Sequence, residues 1–373
     1  MKQKAARKRP YDFSILLITL ILVCFGVLMV FSASFYTAQA RFDDGYHYFK
    51  KQLLGAAIGL VCMFVLANID YKKLKKLALF AIIISEGLLL LLLIDGMGDS
   101  KNEATRWFSL FGFSIQPAEI AKFALILFMA ATISNKREKM KTFKDGLLPN
   151  IIVLGALCVP ILLQPNFSTV VIMAMLWAVM VFVGGCSVPQ LLGLGAVGGA
   201  AGYSVATMAG YRVDRLDYFA DPWLDPSGKG YQIIQSLYSI SAGGLFGVGL
   251  GNSRQKLLYL PYGESDFIFS IIAEEFGLIG ALALLAAFGF LIWRGVLVAM
   301  RCPDLFGTML ATGIVAIIAI QVMVNIAVAT KAIPTTGQTL PFISAGSSSL
   351  IVMMSGIGVL LAISRSCSRA AEP

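Results

Sequence analysis

Ten apolar stretches dominate the chain, at 13–34, 53–69, 77–94, 117–133, 147–163, 169–184, 188–208, 267–293, 306–330 and 347–363. Each is close to the roughly 20 residues that carry a helix across a bilayer core. In lipid a spanning segment must satisfy its own backbone hydrogen bonds, which a helix does and an isolated strand does not. The stretches lack the alternation of a membrane β-barrel. Composition agrees: 58% of residues are hydrophobic and only 14% charged, too little charge to cover a soluble protein of 373 residues. The expected fold is all-α, a polytopic membrane protein of about ten transmembrane helices. Its boundaries are least sharp over 147–208, where the turns at 164–168 and 184–189 are very short.

The cations give this bundle a direction. Lys2, Lys4, Arg7, Lys8 and Arg9 precede the first stretch; Lys72, Lys73, Lys75 and Lys76 follow the second; Lys136, Arg137, Lys139, Lys141 and Lys144 follow the fourth; Arg365 and Arg369 close the chain. With ten spans all of these fall on one side, which the positive-inside rule makes cytoplasmic, so both termini are expected there. The net charge of +9 is then a topology signal and not a nucleic-acid footprint. The expected organisation is a basic cytoplasmic tail at 1–12, a membrane domain at 13–363 and a short tail at 364–373. Ala38-Gln39-Ala40 imitates a signal-peptidase site, but the first apolar stretch is longer than a signal core, so it is expected to stay as a helix. The six cysteines lie in apolar stretches or on the cytoplasmic side, without a CxxC pair, and are expected to pack.

One outer loop is long, at 209–266, and loops of that length are usually functional. Tyr231–Ile240 reads as a short helix. Gly243, Gly244, Gly247, Gly249 and Gly251 follow it, a run that either cradles a phosphate or lets backbone pack closely. Against the topology trend the loop holds Arg212, Arg215, Lys229, Arg254 and Lys256, which suit an anionic partner such as a diphosphate or lipid headgroups. Asp266 ends the loop where the eighth helix opens. Ser265 is placed to cap that helix, and Asp266 is either a dipole-stabilised carboxylate or a general base at the membrane interface. Glu274 and Glu275 lie one to two turns deeper and need partners or a polar cavity. Glu119 and Lys122 stand three apart on the fourth helix, close enough to pair, as a packing bridge or as the wall of a polar cavity. Arg106 precedes them in a short outer loop. His47 is the only histidine.

No nucleotide, haem or zinc motif is present and no Ser-His-Asp set. An enzyme outside the membrane has no ATP, so its substrate must arrive activated. A lipid-diphosphate sugar is such a donor: an acceptor hydroxyl attacks the anomeric carbon and the lipid diphosphate leaves. That chemistry asks for a carboxylate to take the proton and cations to hold the diphosphate. Two other functions fit a membrane bundle, a flippase for the lipid-linked precursor and a non-catalytic scaffold. A flippase is expected to show internal repeats and midplane charges, and no clear repeat is seen.

Several segments, in order along essentially the whole chain, resemble the SEDS family shared by the FtsW, RodA and SpoVE proteins. They are Ser114-Ile115-Gln116-Pro117-Ala118-Glu119 with Lys122; Gln164-Pro165; Gln232 to Tyr238; Gly247-Val248-Gly249-Leu250-Gly251; Gln255-Lys256 through Leu260-Pro261; Ser265-Asp266-Phe267-Ile268-Phe269; Glu274-Glu275; and Thr339-Leu340-Pro341-Phe342-Ile343-Ser344. The resemblance implies a peptidoglycan glycosyltransferase that polymerises lipid II, with Asp266 catalytic and Glu119–Lys122 a functionally sensitive ion pair. Arg106, Arg212, Arg215, Lys256, Gln235 and Ser344 are the candidates to bind the diphosphate and sugar, and the resemblance implies a divalent cation, Mg or Mn, assisting. It also implies a class B penicillin-binding protein as partner, other division or sporulation proteins, and the cytoplasmic membrane of a bacterium. Gly251-Asn252-Ser253-Arg254-Gln255-Lys256 is similar to the division and sporulation branches, which favours septal wall synthesis, with sporulation close behind and elongation less so. The chain departs from the family pattern at Asn166, where an aspartate is common, at Ala345-Gly346-Ser347 in place of a tyrosine and two glycines, at Ser265 for a threonine, and at Tyr262 for a glutamate, with Glu264 nearby.

Overall fold

The computed structural model describes residues 11–94, 99–101, 104–110, 113–208 and 218–367. Ten of its helices coincide with the ten apolar stretches: α1 (Phe13–Phe42), α2 (His47–Asn68), α3 (Ala78–Leu91), α4 (Pro117–Asn135), α5 (Leu148–Leu163), α6 (Phe167–Val183), α7 (Val188–Met208), α9 (Ile268–Arg301), α10 (Leu305–Ala329) and α11 (Ser347–Cys367). The remaining long helix, α8 (Tyr231–Gly243), belongs to the expected outer loop and extends the short helix read there by three residues. Among the described residues seven helical segments are long and apolar enough to cross a membrane, α5 together with the turn from Phe143 before it, and α6 is a slightly shorter apolar helix. The chain is a multi-pass membrane protein. Leucines, phenylalanines and valines lie exposed along the shafts, as lipid-facing residues do.

Helices α4, α10 and α11 are the most buried and form the centre. Small residues let the shafts approach: a Cβ at Gly26 of α1 would strike the Phe342 carbonyl oxygen at 2.2 Å, and one at Gly358 of α11 would strike that of Met63 on α2 at 2.4 Å. Two features differ from the sequence reading. The short outer loop before α4 holds a three-stranded antiparallel sheet, β1 (Asp99–Lys101), β2 (Ala104–Leu110) and β3 (Phe113–Ile115). Helix α9 is longer than the apolar stretch and is broken at Gly277, whose φ of 67° only glycine adopts readily. The broken turn is satisfied from outside: Val248 and Gly249 donate to the carbonyls of Glu274 and Glu275, and Leu278 and Ile279 donate to those of Gly244 and Leu245. The 24 residues after the break are ~36 Å long, enough to span, which leaves 268–276 at one end of the bundle beside α8.

The bundle therefore has two unlike ends. One carries the lysine-rich connections α2–α3 and α4–α5 with the start of α1 and the end of α11. The other carries the sheet, α8, the 244–267 segment and the α10–α11 connection. The basic 1–10 segment and Arg369 lie outside the described residues.

Candidate active site

Asp266 is half-buried two residues before α9, whose N-cap is Phe267. Ser265 is not the cap expected from sequence. Its hydroxyl reaches back to the Tyr262 carbonyl at 3.5 Å, and its own carbonyl accepts from Ser344 Oγ at 2.6 Å. The α10–α11 connection lies against this turn. A Cβ at Gly337 would sit 3.5 Å from Asp266 Oδ2, and Ala345 donates its N–H to the Glu264 carbonyl at 2.9 Å. Ser344 Oγ also accepts from the Leu340 N–H at 2.8 Å, so this side chain is a buried brace between the two segments.

Three further tethers reach the same connection. Asn325 of α10, fully buried, donates through Nδ2 to the carbonyls of Asp266 at 2.9 Å and Gln338 at 2.8 Å. Gln338 donates to Thr169 Oγ1 at 3.2 Å, and Thr169 donates to Asn166 Oδ1 at 2.8 Å. Gln52 of α2 donates to the Ser344 carbonyl and accepts from the Gly346 N–H. Asn166 thus caps α6, a role aspartate fills equally well, so this departure from the family pattern keeps the local structure.

Glu119 and Lys122 pair at 2.7 Å with the lysine fully buried, as their spacing predicts. Glu119 also accepts from Ser349 Oγ at 3.3 Å, and Ser349 meets Thr339 Oγ1 at 3.4 Å. The pair therefore anchors the start of α11. Arg106, on β2, donates to the carbonyls of Gln164 at 3.1 Å and Pro165, pinning the turn before α6.

The two deeper glutamates find their partners. Glu274 accepts from Ser239 Oγ at 2.9 Å, Ser253 Oγ at 2.5 Å and the Arg254 N–H at 2.9 Å. Glu275 accepts from Lys256 Nζ at 2.9 Å and Ser32 Oγ at 2.7 Å. Lys256 is buried and also donates to Ser32 at 3.1 Å. Its ammonium is committed to joining α1, the loop and α9, which corrects its assignment to the diphosphate. The glycine run belongs to the same packing. The Val248 and Gly249 N–H groups are spent on α9 carbonyls, and a Cβ at Gly247 would lie 2.2 Å from the Glu275 carbonyl oxygen. These groups do not cradle a phosphate. Arg254 is exposed beside a cavity of about 440 Å³ lined by Ala242, Val248, Asn252 and Glu274.

Burial pushes the Glu264 carboxyl up from its ordinary value, more than its own N–H and nearby Arg41 pull it down. Gln235 is half-buried on α8, one turn from Gln232, which donates to the Pro261 carbonyl. Arg212 and Arg215 lie outside the described residues. Among the described residues no three His, Cys, Asp or Glu side chains gather as a metal cage. A hard cation that keeps its waters and shares substrate phosphates needs only one or two carboxylates, which Asp266 begins to supply. Sequence reasoning missed Asn325, Gln338, Gln52 and Ser349. Asn325 and Gln52 carried a signal, a carboxamide within an apolar or helical stretch; their partners did not show.

A model of the FtsW/RodA/SpoVE family, described as a cell cycle protein, matches residues 13–369. The stage V sporulation protein E of Bacillus subtilis (strain 168) is 43% identical over 359 residues, 96% of this chain and 98% of the relative. A probable peptidoglycan glycosyltransferase FtsW of Geobacter sp. (strain M18) is 41% identical with the same coverage. Among solved structures, a chain from work on the structural coordination of polymerization and crosslinking by a peptidoglycan synthase complex superposes with a TM-score of 0.79. It is 30% identical and covers 96% of this chain and 98% of its own. The rod shape determining protein RodA of Thermus thermophilus superposes with a TM-score of 0.70 at 27% identity, over 95% and 97% of the two chains.

Proposed function

Because this chain belongs to the FtsW/RodA/SpoVE family of cell cycle proteins and is a membrane-embedded peptidoglycan glycosyltransferase, we propose that it polymerises lipid II at the outer face of the cytoplasmic membrane with Asp266 as its base. The carrying observation is the placement of Asp266. It is a half-buried carboxylate on a turn tied down by Asn325, Ser344 and the Glu264–Ala345 contact, at the bundle end opposite the lysine-rich α2–α3 and α4–α5 connections. That end is outer by the positive-inside rule, which puts both termini in the cytoplasm.

In the reaction the acceptor hydroxyl forms a bond to the donor's anomeric carbon as the bond from that carbon to the diphosphate oxygen breaks. Asp266 takes the hydroxyl proton, and the undecaprenyl diphosphate leaves with the bonding electrons. Arg212 and Arg215 are the loop cations assigned to the leaving diphosphate, with Arg254 beside its cavity as a further contact and Gln235 toward the sugar. Arg106 holds the turn before α6, and Lys256 holds the loop to α1 and α9. A magnesium or manganese ion held by Asp266 and the diphosphate would neutralise charge on the leaving group.

The Gly251–Lys256 stretch supports septal use. The likeness to a sporulation protein and to FtsW proteins supports division and sporulation roles alike. The likeness to a chain from a synthase complex that coordinates polymerization with crosslinking supports a class B penicillin-binding protein as partner, with other division or sporulation proteins.

Labelled lipid II, given to the purified chain with its candidate transpeptidase, tests the reading. Polymer from the parent and none from an equally folded Asp266→Asn variant is expected. Equal polymer from both removes Asp266 as base, and no polymer from either shifts the reading to a flippase or scaffold.

A further inference from the structure

Helix α10 carries two buried carboxamides one turn apart, Gln321 and Asn325, and they are used in opposite ways. Gln321 is 1% exposed, and neither its amide nitrogen nor its oxygen has a partner. Asn325 is fully buried and spends both hydrogens of Nδ2, one on the Asp266 carbonyl and one on the Gln338 carbonyl, while its Oδ1 is left without a partner. The Asn325 carboxamide suits a point where two donors must leave one short side chain in a forked geometry. Asp offers no such pair when ionised, Ser offers one hydrogen, and Gln at the same helix position carries the fork one carbon further out.

The two carbonyls that Asn325 holds belong to two different chain segments. One is the backbone of Asp266 itself. The other is the residue after Gly337, whose Cβ position lies 3.5 Å from the Asp266 carboxylate. Asn325 therefore fixes the carboxylate from both sides: it sets the backbone from which the side chain projects and the turn against which that side chain rests. The Gln338 side chain carries the same support to Thr169 and the Asn166 cap on α6. Ser344 ties Ser265, the residue before, but makes no bond to Asp266.

We propose that Asn325 is the positioning residue of the active site, a two-pronged donor on α10 that holds the Asp266 turn and the Gly337–Gln338 turn in one register so that the carboxylate meets the acceptor hydroxyl. The inference rests on Asp266 being the base. Its action is on rate and not on donor binding, because displacing a reacting group by an ångström or so costs up to about 100-fold in turnover.

The test compares Asn325→Leu, which removes both donors, with Gln321→Leu one turn away, in the full chain with its transpeptidase. Asn325→Ser, which offers one hydrogen in place of two, serves as a second variant should Asn325→Leu fail to fold. For the Asn325 variants kcat is expected to fall about 30-fold or more with KM within about 3-fold, while Gln321→Leu keeps parental kcat. A second readout needs no turnover: the thiol introduced by Asp266→Cys is labelled by a methanethiosulfonate and followed by peptide mass spectrometry. Adding Asn325→Leu is expected to change that labelling rate several-fold and adding Gln321→Leu to leave it alone. Parental kcat and labelling rate in folded Asn325 variants would overturn the proposal. Activity that survives Asp266→Asn would overturn the base assignment instead, and the labelling result would still report on whether Asn325 holds the turn.

Discussion

The two ends of the bundle treat charge in opposite ways. At the lysine end most charged groups stay in or near water. Lys72 lies 3.9 Å from Asp304 with its side chain 60% exposed, and most of the cations of the α2–α3 and α4–α5 connections are exposed. The carboxylates there do local work: Asp12, Asp70 and Asp304 each cap a helix start, and Asp12 also takes a 2.6 Å bond from Arg294. At the Asp266 end Glu119, Glu264, Glu274 and Glu275 are all buried, as are Lys122 and Lys256. Leu258, Tyr262 and Phe342 hold left-handed backbone there, which side chains larger than glycine adopt at a cost. Surface charge of the first kind orients a membrane protein and contributes little to stability. Buried charge of the second kind is expensive and survives only where paired. Its concentration around one half-buried aspartate is the mark of a site whose geometry has to be held.

The largest effect expected at the Asp266 end is on chemistry. Asp266→Asn should abolish polymerisation while leaving the melting temperature in detergent near the parent's, because the backbone bonds to its carbonyl remain. No single charge at the lysine end should do the same. Next comes stability. Lys256→Met leaves Glu275 buried with Ser32 as its remaining side-chain donor, and breaking such a pair costs ~3–5 kcal/mol. Adding Glu275→Gln to it should recover much of the loss, as a double-mutant cycle read by detergent unfolding would show. The counterpart at the lysine end is Asp12→Asn. It deletes the ion pair to Arg294, whose side chains are 25% and 12% exposed, but keeps a residue that caps equally well, so a smaller loss than for Lys256→Met is expected. A comparable loss from both substitutions would erase the distinction between the ends.

What the sequence shows and hides follows from the range of each interaction. Apolar periodicity is local, so the ten stretches became the ten helices, and the three-residue spacing of Glu119 and Lys122 was enough to pair them. Lys256 looked like a free cation because its partners lie 19 and 224 positions away, at Glu275 and Ser32. The glycine run kept two readings until the Glu274 and Glu275 carbonyls took the Val248 and Gly249 N–H groups. The sheet over Asp99–Ile115 is short and lies between spans, and its strands are too brief to show alternation. The break at Gly277 is hidden inside an apolar run that reads as continuous helix.

The smallest expected effect has the opposite sign from the others and sharpens the comparison most. Glu264 is buried beside the site, without a lysine partner among the described residues, and burial raises its carboxyl above the ordinary value, with its own N–H and Arg41 offsetting only part. A carboxyl raised in the folded state binds its proton more tightly there than in the unfolded chain. Stability therefore falls as pH rises from about 4, where an unfolded glutamate titrates, through the raised folded value, and the cost is fully present above it. Glu264→Gln removes that cost. It should raise the melting temperature modestly at pH 7 to 8, and the gain should shrink on acidification and vanish below about pH 4. A gain for Glu264→Gln that did not depend on pH would mean that shape, not ionisation, is what this corner of the site resists.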